Sequence, residues 1–397
     1  MMRALTFDVK TDKWCPRVDV PLPTPTSGQV RVKVLAVGLN PVDAKVASWK
    51  GMIIDGDAPV VVGLDVCGIV DALGPGVSDT TVDVGELVVY HGNMRMRAGG
   101  LAEYALHDAL TLVNLDRMRG VATLPDAVTL AGAPCAAWTA YRALHDKLRL
   151  TPDDRFAVVG AAGGVGSFAL QIAKLAGCKQ VIAVCSERNV DYCLSLGATQ
   201  CVTREQLSGA PDGGLGAALR RVTGGGGVDR LLDCVGEATT TEAYQSLAYD
   251  GIVLPLVSVG TPTAFGMQSF LSSHCWAQLA LGGAHAAGEA ARSRLRVAGE
   301  AVTRLVCAGK LRVPVERVLE AHALEVAAEA LVGMLKADTR GKIVLRMVAE
   351  TEIEEERRRC VARRWRRSVG HATATTAVVA VAGWFLMATI ARGARRR

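Results

Sequence analysis

No two of the eleven cysteines lie closer together than Cys178 and Cys185, so the chain has no CxxC or other short metal-ligand pair. Residues 68–134 hold no cysteine at all. Thiols so dispersed read as reduced cysteines of an intracellular protein, packed as small hydrophobes. No apolar run follows Met1, so no secretory signal is expected. Aromatic residues are scarce, at 5% against 50% hydrophobic overall. That composition excludes a disordered or fibrous chain, and 397 residues suggest two or three domains. Acidic residues are missing from 357–397, which carries 11 of the 45 basic ones, so the rest of the chain holds 34 basic against 39 acidic. The net charge of +6 therefore belongs to a tail and the body is mildly acidic. A nucleic-acid enzyme places its basic residues on the body, so nucleic acid is not an expected partner.

What is present changes character along the chain. The first 130 residues read as β-rich: Val30–Val37 alternates apolar and basic positions as a half-buried strand does, and Val60–Val62, Gly68–Ala72 and Leu87–Tyr90 are further short runs. Glycine and proline punctuate them, which suggests a barrel or sandwich. Beyond residue 134 strands and helices alternate. Phe156–Val159, Val181–Val184, Val228–Leu232 and Ile252–Val259 are apolar strands, with helices at Val165–Ala176, Val190–Leu196 and Leu215–Val222 between them. All-apolar strands in βα alternation predict a parallel sheet covered on both faces. Residues 288–309 and 324–336 read as helices and Lys342–Met347 as a last strand. Glu350–Arg367 reads as a charge-segregated linker, and Ala372–Ala391 is a run of twenty uncharged residues between arginine clusters.

The strongest motif runs from Gly160 to Gly166 (GAAGGVG), after an apolar strand and at the start of a helix. Glycines there let the backbone approach a pyrophosphate, and the helix N-terminus offers N–H groups and a positive dipole. Ala162, Gly163, Gly164, Val165 and Gly166 are therefore candidate dinucleotide contacts. The second strand runs into Cys185, Ser186, Glu187, Arg188 and Asn189, where cofactor choice is read. Small residues at 185 and 186 leave room for a 2′-phosphate, Ser186 can donate to it and Arg188 can pair with it, so NADPH is favoured. Glu187 keeps NADH open.

With these motifs the chain resembles the zinc-independent, quinone oxidoreductase-like branch of the medium-chain dehydrogenases/reductases. The resemblance covers about residues 3–348 and rests on Gly38–Asp43 (GLNPVD), Gly63–Val70, Gly99–Tyr104, Pro134–Ala140, Gly160–Lys174, Val228–Gly236, Val257–Gly260 and Gly341–Val344. It implies an α/β fold: a GroES-like barrel over 1–134, completed by 311–348, and a doubly wound Rossmann sheet over 135–310, with the site in the cleft between them. It implies that Thr139 lies along the cofactor phosphates and that Val257 and Val259 hold the nicotinamide carboxamide. Asn189, Thr203, Val235 and Lys342 are the remaining expected cofactor contacts. Asn40 is expected beside the reacting ring, with Asp43 and Lys45 as candidate proton relays or loop braces. Relatives also commonly dimerise through Rossmann sheet edges, here the strand near Ile252–Val259.

Zinc relatives need a soft ligand and a Gly-His-Glu where this chain has Leu39, Asn40 and Pro41 and Gly63, Leu64 and Asp65, so no zinc is expected. His91 and His107 read as turn or surface residues. Without a metal the electrophile must need little polarisation, which points to a quinone or a conjugated enone. An enoyl-thioester reductase is the nearest alternative, although its usual tyrosine is replaced here by Gly51, after Trp49 and Lys50. Where relatives carry a phosphate-contacting tyrosine this chain has Thr203, followed by Arg204. A catalytically idle NADPH-binding adaptor is the alternative from another class. As a helix, Ala372–Ala391 would span about 30 Å, the thickness of a bilayer core. With basic flanks on both sides it is expected to be a C-terminal transmembrane anchor, resembling those of the mitochondrial outer membrane, with the body in the cytosol.

Overall fold

The computed structural model describes residues 1–53, 58–78, 81–208, 214–257, 267–320, 324–336 and 339–369. The chain opens with β1 (Met2–Asp8) and β2 (Lys13–Val20), which pair antiparallel, and then enters β3 (Gln29–Leu39). β4 (Val60–Val61) returns to β1, while β5 (Asp65–Leu73), β6 (Leu87–His91), β7 (Tyr104–Asp108) and β8 (Val113–Asn114) build a second sheet on β3. β3 is the hub, antiparallel to β5 along its length and to β7 along its first half.

The expected half-buried β3 is instead internal on both faces. Its basic positions are absorbed: Arg31 is buried against Asp71 at 2.7 Å, and the Lys33 ammonium lies 4.8 Å from the Tyr104 ring centre. A buried guanidinium is tolerable only with its charge and donors matched, and Asp71 together with the Pro23 carbonyl provides that.

The middle of the chain forms β9 (Arg155–Val159), β10 (Gln180–Cys185), β11 (Gln200–Thr203), β12 (Val228–Asp233), β13 (Leu247–Pro255) and β14 (Cys275–Trp276). All are parallel, in the order β11-β10-β9-β12-β13-β14. Counted within this domain the order is 3-2-1-4-5-6, a doubly wound dinucleotide-binding topology. β13 starts and ends earlier than the expected Ile252–Val259, and β14 covers its outer side. β13 is therefore not the sheet edge, and among the described residues that position belongs to β14.

The chain then returns to the first domain. β15 (Val315–Glu320) and β16 (Lys342–Arg346) pair parallel, and β16 lies antiparallel to the second half of β3. One apolar cluster runs through both domains, from Leu35, Cys67 and Ile69 to Phe168, Val181 and Leu295.

The expected charged linker is a helix, Ile353–Val369, entered by a 3-10 turn over Glu350–Glu352. It packs on β5, buries Cys360, and Arg357 bonds the Asp116 carboxylate and the Gly85 carbonyl. Among the described residues no helix is long and apolar enough to cross a membrane. The apolar run Ala372–Ala391 lies outside them.

Candidate functional site

A cleft of about 440 Å³ opens between the two domains. Its Rossmann wall holds Gly160, Cys185, Cys234 and Leu256, each at or just past the carboxyl end of β9, β10, β12 or β13. The strand order reverses between β9 and β12, so the cleft stands at the switch point where such sheets bind dinucleotides.

The Gly160 turn is built for close approach. Gly160 takes φ +76°, where a side chain is strained. A Cβ on Gly166 would fall 2.4 Å from the Gly160 carbonyl oxygen, whereas one on Gly163 would meet nothing nearer than that same oxygen at 3.3 Å. Gly163 caps the thirteen-residue helix Gly164–Ala176, whose first N–H groups have no intrahelical partner. An open turn over a helix N-terminus fits a pyrophosphate.

Ala162, Gly163, Gly164, Val165 and Gly166 all line the cleft, as do Ser186, Arg188, Asn189, Val235, Val257 and Lys342. Asn189 donates to the Ser186 hydroxyl at 2.9 Å, which fixes both at the end of β10. Glu187 is exposed and does not line the cleft. Thr139 is buried at the start of a helical segment, away from the cleft lining. Thr203 is buried and caps the helix Arg204–Ser208, exchanging bonds with Gln206, while Arg204 beside it lines the cleft. Val259 lies outside the described residues. Sequence reasoning left Cys135 and Thr339 out of the site, and both line it. Cys135 carries no motif of its own, and only the three-dimensional pairing of Pro134–Trp138 with β5 brings it there.

Beneath the barrel wall lies a buried ionic cluster. Asn40 follows β3, Asp65 opens β5, and Lys342 opens β16. Adjacent pairing of β16, β3 and β5 lines up these three strand ends. The Lys342 ammonium donates to Asn40 Oδ1 at 2.5 Å, to the Leu39 carbonyl at 3.0 Å and to Asp65 Oδ2 at 3.2 Å. Asn40 Nδ2 donates to Asp65 Oδ2 at 3.0 Å. The amide is thereby held in one orientation.

Asp43 sits behind Asn40 rather than on the cleft wall. It accepts from the backbone N–H of Asn40 at 2.9 Å and of Leu64 at 3.1 Å, bracing the loop. Burial, reinforced by the Asp65 charge, pushes its carboxyl up to about 7. Asp65 is raised by burial against the pull of Lys342. Lys45 lines the cleft and stacks over Trp49, 5.2 Å from the ring centre.

His91 and His107 are buried, not turn or surface residues. They sit on β6 and β7, where burial and neighbouring histidines lower both imidazoles, His91 to about 3. His91, Asp65 and Cys135 place one nitrogen, one oxygen and one sulfur within 4.8 Å of one another, a donor set that a divalent ion accepts in principle. Both Asp65 oxygens are already engaged, however: Oδ1 by the Cys135 N–H at 2.7 Å and Oδ2 by Lys342 and Asn40. The Lys342 ammonium, 3.2 Å from Asp65 Oδ2, stands against a further cation at this place.

Two family matches cover the two domains: the family described as alcohol dehydrogenase GroES-like domain over residues 26–117, and that described as zinc-binding dehydrogenase over residues 164–288. A trans-enoyl reductase of Aspergillus terreus is 37% identical over 178 residues, 43% of this chain and 47% of that protein. A chloroplast envelope quinone oxidoreductase homolog of Arabidopsis thaliana is 36% identical over 202 residues, 49% of this chain and 57% of that one. The chain thus spans about half the length of the curated relatives it matches. A solved quinone oxidoreductase from Coxiella burnetii superposes with a TM-score of 0.68 over 87% of this chain and 99% of that one, at 24% identity. Two matched domains, joined by this topology and cleft, make the chain a medium-chain dehydrogenase/reductase of the quinone-oxidoreductase-like kind.

Proposed function

We propose that the protein is an NADPH-dependent reductase of quinones or conjugated enones. The observation that carries the cofactor choice is the end of β10. Ser186 and Arg188 line the cleft there, with Arg204 beside them just past β11, while Glu187 stays out of it, which suits a 2′-phosphate better than a bare ribose hydroxyl. The Gly160–Gly166 turn and the helix N-terminus would hold the pyrophosphate, and Val235 and Val257 would border the nicotinamide end. Bound there, a reduced nicotinamide supplies a hydride, and the protein's part is to bind, orient and exclude water. Asn40 lines the cleft with its amide hydrogens donated to Asp65 and the Gly38 carbonyl, so stabilising charge on the acceptor oxygen requires it to exchange one of these bonds. The chemistry on this reading runs without a metal.

The enoyl-thioester alternative has a specific observation behind it. The cleft lining includes Trp49, Met334 and Leu335, apolar side chains that an acyl chain could pack against. Steady-state NADPH and NADH oxidation against quinones, enones and enoyl thioesters decides between these readings. Quinone or enone turnover with NADPH, unchanged by chelators, is expected. Turnover with thioesters alone would replace the reading with the second. Cofactor binding without turnover on any acceptor would leave the adaptor reading.

We propose further that Ala372–Ala391 anchors the protein in a membrane, the mitochondrial outer membrane by the basic flanks on both sides, with the body in the cytosol. Co-flotation of the full chain with vesicles, compared with a chain ending at residue 369, tests this, and equal recovery of the two would end it. Homodimers through the Rossmann sheet edge, now β14, are the proposed assembly, checked by sedimentation.

A further inference from the structure

We infer that Cys185 and Cys193 are an oxidant-reactive thiol pair, that a peroxide joins them as a disulfide across the segment carrying Ser186, Arg188 and Asn189, and that the disulfide weakens cofactor binding. Cys185 is the last residue of β10 and lines the cleft. Cys193 lies on the helix Val190–Ser195, fully buried in the same apolar cluster. A third thiol, Cys201 of β11, packs against that cluster too, its sulfur 3.9 Å from the Val190 carbonyl oxygen. The S–H groups of Cys193 and Cys201 both donate to the Cys185 sulfur. Register decides which of them can bond it covalently. Cys201 pairs with Ala183, two residues before Cys185. Two residues along a strand and one strand across separate the Cys185 and Cys201 Cα atoms by about 8 Å. A disulfide needs less than about 7 Å, so the sheet keeps Cys201 out. The helix carrying Cys193 is joined to β10 through the short turn Glu187–Asn189, outside the ladder of the sheet, and can close on Cys185.

The hydrogen bond from Cys193, aided by Cys201 and the Arg204 charge, outweighs burial and holds the Cys185 thiol below its ordinary value. Donating that bond, together with burial, pushes the Cys193 thiol up. The pair thus divides the work, with Cys185 as thiolate and Cys193 as the protonated partner. The thiolate attacks hydrogen peroxide: an S–O bond forms, the O–O bond breaks, and the departing hydroxide takes up the proton that Cys185 lost and leaves as water. Cys193 then attacks the sulfenic acid: the S–S bond forms, the S–O bond breaks, and the Cys193 proton leaves with the oxygen as a second water. Two thiols lose two electrons and the peroxide gains them. An S–S bond is about 2.05 Å long, well below the contact distance of two sulfur atoms, so strand end and helix must draw together. Ser186, Arg188 and Asn189 lie between the two cysteines, and the Asn189–Ser186 bond at 2.9 Å moves with them. The loss of affinity rests on the reading that the cofactor's 2′-phosphate binds at this segment; formation of the disulfide does not.

The test treats the reduced full chain with hydrogen peroxide, blocks the remaining thiols and maps the tryptic peptides by mass. Cleavage after Lys179, Arg188 and Arg204 puts Cys185 on one peptide and Cys193 and Cys201 on another. The expected product is these two peptides joined with the loss of two hydrogens, with fragmentation assigning the link to Cys193, and it is absent from Cys193→Ser. NADPH affinity, read by cofactor fluorescence, should fall about fivefold on oxidation and return with dithiothreitol, and saturating NADPH should slow the oxidation. Cys185 and Cys193 staying reduced while the exposed Cys275 is oxidised would overturn the inference, and so would a link through Cys201. A Cys185–Cys193 link that leaves NADPH affinity unchanged would overturn its effect on binding. Reduced protein that binds neither NADPH nor NADH would end the cofactor reading instead, while the peptide map still decides the disulfide. If Cys193→Ser does not fold, fragmentation of the wild-type peptides assigns the link alone.

Discussion

Single residues carry the cofactor argument. Arg188 and Arg204 stand on the cleft wall at the ends of β10 and β11, and charge-assisted bonds to a phosphate are worth about 1.5–3 kcal/mol each. Replacing either by alanine should raise KM for NADPH about tenfold and leave KM for NADH nearly unchanged, read from steady-state kinetics with both cofactors. A different residue pair ties the Rossmann sheet together at its entry. Burial raises the Asp229 carboxyl, but hydrogen bonds and charge from Arg155 outweigh it and hold it below its ordinary value. The carboxylate accepts from the Arg155 guanidinium through both oxygens at 2.9 Å and from its backbone N–H at 2.7 Å. The unfolded chain therefore binds a proton more readily than the folded one. The contribution is complete above the unfolded value near 4 and fades as pH falls through the lower folded value. Asp229→Asn should lose about 1 kcal/mol at pH 7, and the gap to wild type should close on the acid side, as followed by thermal melts across pH.

At the scale of elements, what was legible from the sequence is what local physics dictates. The apolar strands β9, β10 and β12, the Gly160 turn and the helix Gly164–Ala176 follow from periodicity and glycine placement, and the structure puts them within a residue or two. β2 and β15 were not legible, because on both exposed positions dominate and no apolar alternation marks a face. The helix Ile353–Val369 was hidden by its charge. It is seated by packing on β5 with Cys360 buried and by Arg357 reaching Asp116, 241 residues earlier in sequence, while Glu355 and Glu356 pair with Arg359 on its surface. The same limit applies to the site. The glycine turn could be read locally, but the Lys342–Asn40–Asp65 cluster depends on three strands pairing across some 300 residues. The turn also gives the sharpest prediction for an element. Gly166→Ala would place its Cβ 2.4 Å from the Gly160 oxygen and 2.7 Å from Ala161, both backbone contacts that cannot swing away. The turn must shift, and NADPH affinity should fall at least about tenfold while overall helicity is kept, as measured by cofactor fluorescence and circular dichroism.

The two domains of the whole molecule are joined by packing that leaves little room for independent behaviour. The chain crosses between them twice, and one apolar cluster includes barrel residues from β3, β5 and β6 together with Phe168, Val181 and Leu295 of the Rossmann half. Among the described residues Trp138 is the largest side chain fully buried. Its ring lies against Gly299 of the helix Glu289–Cys307, and the same glycine abuts Val113 of β8, so three elements from both halves meet where only hydrogen fits. Each half holds a core of its own, around Val34, Val66 and Leu101 in the barrel and Ile182, Leu219 and Val253 in the Rossmann sheet, but separating the domains would expose the cluster they share. Heating should therefore give one cooperative transition for residues 1–369, with the calorimetric enthalpy matching the van't Hoff value. Gly299→Val tests the coupling directly. Its Cβ would lie 2.5 Å from Trp138 and 2.6 Å from Val113, overpacking that costs about 1–3 kcal/mol. Because the strain falls on the joint, it should lower the single transition as a whole rather than split it. A second transition in the wild type, or one that appears while the other half keeps its original midpoint in the variant, would show that the domains fold as separate units and that the cleft between them is set by something weaker than a common core.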